Sequence, residues 1–318
     1  MIKSIIFRII AWMVNIFLII IISFLFYINI PVYTQKTLHI PNGSVTKIIS
    51  YLTKKGHSLT IIDRYLLVLI GEPKTGWIDM KSTKMNRIDF LINLTKSKFS
   101  ISKITLIPGE TTYIFLNEIA LQLKLDSDKL FDEYNKTALF KEAGIFADTY
   151  HIPKGIKEKN LIEFLTRESN KRYKKLYKKL AKDKKFDQKE FNKVLTIASI
   201  IQKEAANNKE MPIIASVIYN RIAKNMRLQM DGSLNYGKYS HIKITPKRIK
   251  TDMTKFNTYK FKGLPDYPVC NVSTASIKAT FNPASTNYLY FMKNSTNTHD
   301  FSKTYKEHRK YIQKAKAN

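Results

Sequence analysis

The chain of 318 residues is long enough for two domains, or for one large domain with an appendage. Its 54 Lys and Arg against 25 Asp and Glu give a formal charge of +29. This balance suggests an anionic partner (nucleic acid, an acidic membrane surface or an acidic polymer), although a lysine-rich proteome would produce the same excess. The lone cysteine, Cys270, excludes an intramolecular disulfide and a cysteine-based metal cluster.

The N-terminal part of the chain is nearly continuous in apolar residues. No charged side chain occurs between Ile9 and Thr34, and Trp12 and Tyr27 lie near the two ends of the run. About 20 such residues cross a bilayer as a helix, and aromatic rings favour its interfaces. The sequence predicts a transmembrane helix over 9–31. A signal peptide is disfavoured because no small-residue cleavage site follows.

Basic residues precede this span at Lys3 and Arg8. By the positive-inside rule, residues 1–8 are expected in the cytoplasm and the body of the chain outside it. The prediction is a single-pass protein of the inner (cytoplasmic) membrane with an extracytoplasmic, or periplasmic, body. Nucleic acid is disfavoured as a partner by this topology.

The body begins with a strand, a Pro-Asn-Gly turn and a helix in TLHIPNGSVTKIISYLTKKG. The helix carries Val45, Ile48, Ile49 and Leu52 on one face, and Gly56 ends it. The same order of strand, Pro-Gly and helix returns in ISKITLIPGETTYIFLNEIALQLKL, and a further strand and helix lie between them. Two small α/β modules are therefore predicted.

A long helix is predicted from residue 160 to 186, with one apolar face and one face dense in Lys and Arg. The basic face could bind a polyanion, but a solvated helix surface is the favoured interpretation. Two more helices are predicted at roughly 189–206 and 212–224. The tail from His299 onward is predicted to form a closing helix.

Glu204 lies on the apolar face of the first of these two helices. In IASIIQKEA it follows Ile200 by four residues and Ile197 by seven, whereas Gln202 and Lys203 point elsewhere. A glutamate on such a face is either paired in the interior or placed for chemistry. Burial without an intimate partner would raise its pKa from about 4.3 towards ~6, where it can act as a general acid.

Arg221 is the expected neutraliser, because it falls on the apolar face of the next helix with Val217 and Ile214. If it pairs closely with Glu204, the glutamate stays ionised and is a poor acid. If it meets another acid such as Asp231 instead, the pKa of Glu204 rises. The sequence leaves both alternatives open.

Two polar loops follow, LQMDGSLNYG (228–237) and FNTYKFKGLPDYPVCN (256–271). Asn and Tyr side chains in such loops suit sugars, which need hydrogen-bond partners and surfaces for stacking. No HExxH, CxxC, Walker, GxGxxG or GxSxG motif occurs, and the six His lack ligand spacing. Neither a metal nor a cofactor is predicted.

The ordered series ASIIQKEA, NRIAKNMRLQMD, YG, FNTYKFKGLP, FNPASTNYLYF and HDFSKT…EH resembles the endolytic murein transglycosylase family (MltG, or YceG-like). The anchor, IPNGS, ITLIPGET and EAGIFADTYHIP fit the same family. The resemblance implies an α+β fold with one N-terminal transmembrane helix over 9–31, a LysM-like α/β subdomain over 34–103 and a mixed α+β catalytic domain over 104–318.

The resemblance also implies an activity. The family cleaves the bond between N-acetylmuramic acid and N-acetylglucosamine inside nascent peptidoglycan strands and leaves 1,6-anhydromuramic ends. The catalytic glutamate of the family matches Glu204. Peptidoglycan strands are the implied substrate, and peptidoglycan synthases (penicillin-binding proteins) are implied partners where strand growth ends.

The implied substrate-binding residues lie in the two polar loops: Gln229, Asp231, Tyr236, Asn257, Thr258 and Tyr259. The chain departs from the family at three positions. Gln202 stands where many members have a second glutamate, and Ala147 and Gly232 each replace a proline.

Three alternatives to a lytic enzyme remain. The chain could be a non-catalytic peptidoglycan-binding scaffold for wall synthases, which would tolerate loss of Glu204. It could be a polyanion-binding protein, or a hydrolase that leaves reducing ends. A hydrolase would need a second carboxylate, whereas attack by the muramic 6-hydroxyl needs only one.

Overall fold

The computed structural model of the protein describes residues 2–97, 101–182 and 184–317. Over these residues the chain divides into two compact units, Met1–Ser102 with His151–Ile156, and Lys103–Tyr150 with Lys157–Asn318. The α+β prediction with an N-terminal apolar helix is confirmed. The LysM-like character of residues 34–103 and the domain borders stay predictions, and the Lys3 side chain and residues 98–100 lie outside the described part.

The first unit contains helix α1 and a small α/β body. Its elements are α1 (Ile2–Asn29), β1 (Pro31–Tyr33), β2 (Thr37–Ile40), α2 (Val45–Lys54), α3 (Ile61–Ile70), β3 (Gly76–Asp79), β4 (Lys84–Asn86) and α4 (Arg87–Lys96). Strands β1 and β4 pair antiparallel, with Val32 opposite Met85. Strands β2 and β3 also pair antiparallel, with Leu38 opposite Ile78.

The predicted module of strand, turn and helix is confirmed as β2 and α2. Ser44 caps α2 by accepting a hydrogen bond from the Lys47 backbone N–H, and the helix buries Ile48, Ile49 and Leu52. Gly56 follows the helix at φ +91°, a left-handed conformation that an L side chain rarely adopts, so the helix ends here. The sequence pattern thus identified both the apolar face and its end.

Helix α1 is the segment that could cross a membrane. Within it, Ile5–Asn29 is long and apolar enough to span a bilayer, and no other helix of the described residues is. Its side chains are exposed for most of the length, as expected for a surface that lipid would cover.

The chain then continues through β5 (Ile101–Thr105), which pairs with β6 (Thr149–Pro153). Between them lie α5 (Thr112–Leu123) and α6 (Ser127–Thr137). The second module is therefore also confirmed: β5 leads through Pro108 and Gly109 into α5, which buries Phe115, Leu116 and Ile119.

The rest of the second unit is mostly helical. It comprises α7 (Glu158–Leu180), α8 (Gln188–Glu204), α9 (Met211–Ala223), 3-10 turns at Asp231–Leu234 and Gly237–Tyr239, α10 (Pro246–Thr251), α11 (Thr274–Phe281), β7 (Tyr290–Lys293), β8 (His299–Ser302) and α12 (Tyr305–Ala317). The tail prediction was wrong for its first four residues, which pair with β7 as a strand. Their aromatic residue Phe301 packs beside Phe291 across the hairpin, 5.9 Å between ring centroids.

Helix α8 is buried on two sides, and this position fixes the candidate site. Its residues Ile197, Ile200 and Ile201 pack with α9 residues in one apolar cluster. Phe191 and Leu195 pack with α7 and α11 in a second cluster. Because both long sides of α8 are covered, its C-terminal end is held rigidly, and that end carries Glu204.

Candidate active site

Glu204 is the last residue of α8. It is partly buried, one turn beyond the fully buried Ile200 and Ile201. The face predicted from the sequence is therefore the face that the structure buries. At this position the carboxyl group also lies at the C-terminal end of the helix, where the helix dipole disfavours negative charge.

The backbone of Gly232 contacts this carboxyl group directly. The Gly232 N–H donates to Glu204 Oε1 at 2.7 Å. A Cβ atom at residue 232 would lie 2.5 Å from Lys203 Cβ and 3.0 Å from Glu204 Oε1. In this chain a side chain at residue 232 would therefore displace the 3-10 turn from α8. The sequence showed Gly232 as a departure from its family, but gave no sign of this hydrogen bond.

The pKa of Glu204 is raised from its ordinary value to about 7, chiefly because burial disfavours the charged form. The hydrogen bond from Gly232 lowers the pKa, the charge of Asp231 raises it, and the charge of Arg221 lowers it. A group with this pKa is half protonated near neutrality and can both donate and accept a proton.

Arg221 does not form an ion pair with Glu204 or with Asp231. Its Nε donates to Leu289 O at 2.6 Å, and its Nη1 donates to Leu228 O. The guanidinium group also lies 5.3 Å from the centroid of the Tyr290 ring. Both partners considered from the sequence were thus wrong, because backbone carbonyl groups occupy the arginine. Without an intimate pair a raised Glu204 pKa is expected, and burial in the structure acts in that direction.

Asp231 and Tyr259 form a pair beside the glutamate. The Tyr259 hydroxyl donates to Asp231 Oδ1 at 2.6 Å. Asp231 is exposed and Tyr259 is half-buried. Burial raises the pKa of the Tyr259 hydroxyl, and the hydrogen bond to Asp231 raises it further, so the tyrosine stays neutral. The two predicted loops therefore meet at Glu204, one contributing Asp231 and the other Tyr259.

The predicted residues Asn257 and Thr258 lie inside the loops. The Asn257 side-chain amide donates to Ile249 O and Asp252 O, both at 2.8 Å, and the residue is fully buried. Thr258 Oγ1 accepts from the Met230 N–H at 3.0 Å. Thr258 thus joins the two loops, whereas Asn257 ties its loop to α10 and to the residue that follows it.

Gln229 and Tyr236 remain at the surface of the loops. Gln229 is exposed, and its backbone N–H donates to Thr258 O at 3.1 Å. Tyr236 stacks on Phe256 with ring centroids 4.1 Å apart and donates to Asp252 Oδ2 at 3.1 Å. One face of the Tyr236 ring is thus taken by protein. Gln229, Asp231, Tyr236 and Tyr259 are the predicted substrate residues that keep exposed atoms.

A second carboxyl group with a raised pKa was not identified by the sequence analysis. Glu142 is buried, and burial raises its pKa to about 7. Its Oε1 accepts hydrogen bonds from the Thr112 backbone and hydroxyl at 2.8 and 2.5 Å, and from the Asn271 amide at 3.3 Å. It lines a pocket of about 280 Å³ with Tyr134 and Tyr236. The only signal in the sequence was an acid within the apolar segment EAGIFADTY.

No group of three or more His, Cys, Asp or Glu side chains is placed to hold a metal ion within residues 2–97, 101–182 and 184–317. Cys270 is buried, and burial raises the pKa of its thiol. Ser199 is also buried, and its hydroxyl donates to Thr196 O. Neither residue has the exposed, activated setting that a nucleophile needs. Glu204 is the titratable group at this site whose geometry suits proton transfer.

Comparisons with known proteins agree with the pattern of motifs. Two curated relatives are the endolytic murein transglycosylases of Bacillus subtilis (36% identical, covering 49% of this chain and 42% of the relative) and of Streptococcus pneumoniae R6 (30% identical, covering 49% and 28%). The matches thus span less than half of each relative's length.

A crystal structure of a YceG-like protein from Listeria monocytogenes is 27% identical and matches with a TM-score of 0.58. The match covers 87% of this chain and 99% of that chain. The YceG-like family matches residues 38–314, which include both polar loops and Glu204. The chain therefore belongs to the YceG-like family.

Proposed function

We propose that this protein is a lytic murein transglycosylase that cleaves the bond between N-acetylmuramic acid and N-acetylglucosamine within peptidoglycan strands. The observation that carries the proposal is the carboxyl group of Glu204, whose pKa is raised to about 7 beside two surface loops that offer sugar-binding side chains. The names of the curated relatives support the same class of reaction.

The two oxygens of Glu204 have different surroundings, which suits proton transfer. Oε1 accepts the Gly232 N–H, whereas Oε2 has no hydrogen-bond partner among the residues that the structure describes. The proton therefore belongs on Oε2, which is free to approach a glycosidic oxygen. Gly232 then stabilises the carboxylate that forms when the proton leaves.

The reaction needs no water. Glu204 donates its proton to the glycosidic oxygen, and the bond from that oxygen to the muramic C1 breaks. The muramic 6-hydroxyl oxygen bonds to C1 and gives its proton to Glu204, which restores the acid. One bond breaks, one forms, and a 1,6-anhydro ring remains. Because the attacking hydroxyl belongs to the same sugar, it is already close to C1.

Asp231 is the residue that a hydrolytic mechanism would use as a second carboxylate. Its Oδ1 is bound by Tyr259, and its negative charge helps to keep Glu204 protonated. We assign Asp231 to tuning Glu204, and we assign Gln229, Tyr236 and Tyr259 to contacts with the glycan.

We further propose that α1 anchors the protein in the cytoplasmic membrane, with its N-terminus in the cytoplasm and the rest of the chain after α1 outside. Lys3 and Arg8 before the span support this orientation. The site would then act on strands as they leave the membrane-bound synthases, which are the proposed partners, and cleavage there would end strand elongation.

The test is digestion of uncrosslinked glycan strands by the full-length protein in detergent, in water enriched in ¹⁸O. The wild type is expected to cut inside the strands and to leave 1,6-anhydro ends without ¹⁸O, as read by mass spectrometry. Glu204→Gln is expected to abolish cutting, because an amide cannot donate this proton. Glu118→Gln, the same change at an exposed glutamate of α5, is the matched control and should remain active.

Each contrary outcome has a distinct meaning. Reducing ends that carry ¹⁸O would identify a hydrolase. Full activity of Glu204→Gln would reduce Glu204 to a structural residue. Strands that are bound but cut by neither protein would indicate a scaffold for wall synthesis.

A further inference from the structure

Helix α3 has apolar side chains on two opposite faces, and protein covers only one of them. Leu67 is fully buried in the core of the first unit, and Leu66 and Ile70 pack against that core. The opposite face is exposed and consists of Ile61 (63% exposed), Ile62 (44%), Tyr65 (57%), Val68 (62%) and Leu69 (82%). We call these five residues the outer face of α3. A continuous apolar surface of this kind marks a site of interaction.

The start of α3 lies at the end of the apolar helix α1. The Tyr27 hydroxyl is 2.5 Å from Oγ1 of Thr60, the N-cap residue of α3, and donates to Asp63 Oδ2 at 2.9 Å. At ~1.5 Å per residue, the 25-residue apolar span of α1 exceeds the ~30 Å hydrocarbon core of a bilayer. Tyr27, near the end of the span, therefore falls in the interfacial layer, and Thr60 lies at the same depth.

A buried ion pair makes this connection rigid. Arg87 Nη1 lies 2.6 Å from Asp63 Oδ2, with side-chain exposures of only 4% and 0%. The Arg87 guanidinium group also stacks over the Tyr27 ring at 4.4 Å from its centroid. Helix α3 cannot move away from the end of α1 without exposing or breaking this cluster, and that change would be costly.

We propose that α3 lies in the membrane interface at the Asn29 end of α1, with its outer face in contact with lipid. This inference rests on the proposed anchoring by α1. Residues of the outer face are apolar or aromatic, and aromatic rings favour the interfacial layer. Helix α3 is apolar on both faces and begins beside the end of the membrane span. Lipid that replaces water on its exposed face would stabilise it there.

The charges around α3 fit an anionic headgroup layer. Residues 31–97 carry ten Lys and Arg but only four Asp and Glu, and one of these acids, Asp63, is already paired. Arg64 flanks the outer face and stacks over Tyr65, 4.8 Å from the ring centroid. A long cationic side chain in this position can reach up to a phosphate while its neighbours contact acyl chains.

The consequence for the protein is a fixed placement of its first unit. With two contacts to the bilayer, α1 through it and α3 upon it, this unit cannot swing freely about a single anchor. The β2–α2 module is then held at a defined height above the membrane surface.

The inference can be tested by fluorescence quenching in nanodiscs that hold one full-length chain each. In a Cys270→Ser background, single cysteines replace Val68, Leu69, Leu18 in α1, or the exposed Ser50 of α2, and each carries a bimane label. Lipids with a spin label near the headgroup are expected to quench the labels at Val68 and Leu69 strongly. Lipids with a deep spin label should quench Leu18 most, and neither lipid should quench Ser50.

The controls separate this inference from the anchoring on which it rests. Quenching at Leu18 without quenching at Val68 and Leu69 would overturn the placement of α3 and leave the anchor intact. Absence of quenching at Leu18 would overturn the anchor and the placement together. A third outcome would assign the outer face to a protein contact and overturn the proposal. In that case lipid would not quench the labels at Val68 and Leu69, but the labels would be shielded from aqueous iodide in lipid-free detergent at high protein concentration.

Discussion

The backbone N–H of Gly232 donates to Oε1 of Glu204 at 2.7 Å. This bond joins a 3-10 turn in the first polar loop to the C-terminal end of α8. It occupies Oε1 and leaves Oε2 open for a proton, and it opposes the effect of burial on the pKa of Glu204. The position of the Glu204 carboxyl group therefore depends on a backbone contact that a side chain at residue 232 would disturb.

Gly232→Ala should lower the activity on the order of 100-fold, because a shift of about 1 Å at a reacting group can cost that much. The added Cβ would lie 2.5 Å from Lys203 Cβ and must displace the turn. Initial rates on glycan strands, with a thermal melt to establish that the variant folds, provide the measurement. Lys238→Ala, at an exposed side chain directly after the same loop, is the comparison. Equal rates for both alanine variants would argue against the role of Gly232.

The pH dependence of the activity should follow the protonation of Glu204. Because the acid acts in its protonated form, kcat/KM is expected to fall as the pH rises through about 7. Asp231 raises this pKa by its negative charge, so Asp231→Asn should move the falling limb to lower pH. Asp266→Asn, at an exposed aspartate paired with Lys255, should leave the limb in place. A limb that does not move in Asp231→Asn would remove Asp231 from the tuning of Glu204.

Arg221→Lys tests the finding that Arg221 binds backbone carbonyl groups instead of Glu204. The change keeps the charge but loses the planar group that reaches Leu228 O and Leu289 O. The free energy of unfolding should fall by about 1–3 kcal/mol, and hydrogen exchange should increase at residues 227–230. The falling limb of the pH profile should stay in place. If the stability holds and the limb moves, the Arg221 guanidinium group acts on Glu204 directly and the two carbonyl groups contribute little. Arg227→Lys, at an exposed side chain, is the matched control.

Asp63→Ala should destabilise the first unit strongly. It leaves the Arg87 guanidinium buried without its counter-charge, a change that costs about 3–5 kcal/mol. Urea unfolding in detergent, followed by the fluorescence of Trp77 in β3, measures this unit. Asp89→Ala, the same change at an exposed aspartate in the first turn of α4 in this unit, should cost at most about 1 kcal/mol. Similar midpoints for the two variants would mean that the buried pair contributes little.

The sequence located the main elements because their signals are local. The apolar run of α1, the apolar face and stop of α2, and the face of α8 that carries Glu204 depend on residues within a few turns of one another. The same periodicity placed Glu204 among buried residues before any contact was known. The first four residues of the tail, His299–Ser302, were mispredicted because the partner of a strand is not local, and β8 exists only by pairing with β7.

Tertiary structure alone decided the surroundings of the acid. Arg221 and Glu204 occupy apolar faces of adjacent helices, which made an ion pair the simplest expectation, yet the carbonyls of Leu228 and Leu289 occupy the arginine. Spacing along a helix predicts the helix face on which a residue lies. It predicts neither the direction of the side chain nor the backbone groups of other segments that contact it. Gly232, Asp231 and Tyr259 reach Glu204 only after both polar loops fold back onto α8. By itself, therefore, the sequence placed Glu204, the proposed acid, on a buried helix face, whereas the tertiary structure decided the direction of its pKa shift, because desolvation and hydrogen bonding depend on chain segments far apart in sequence.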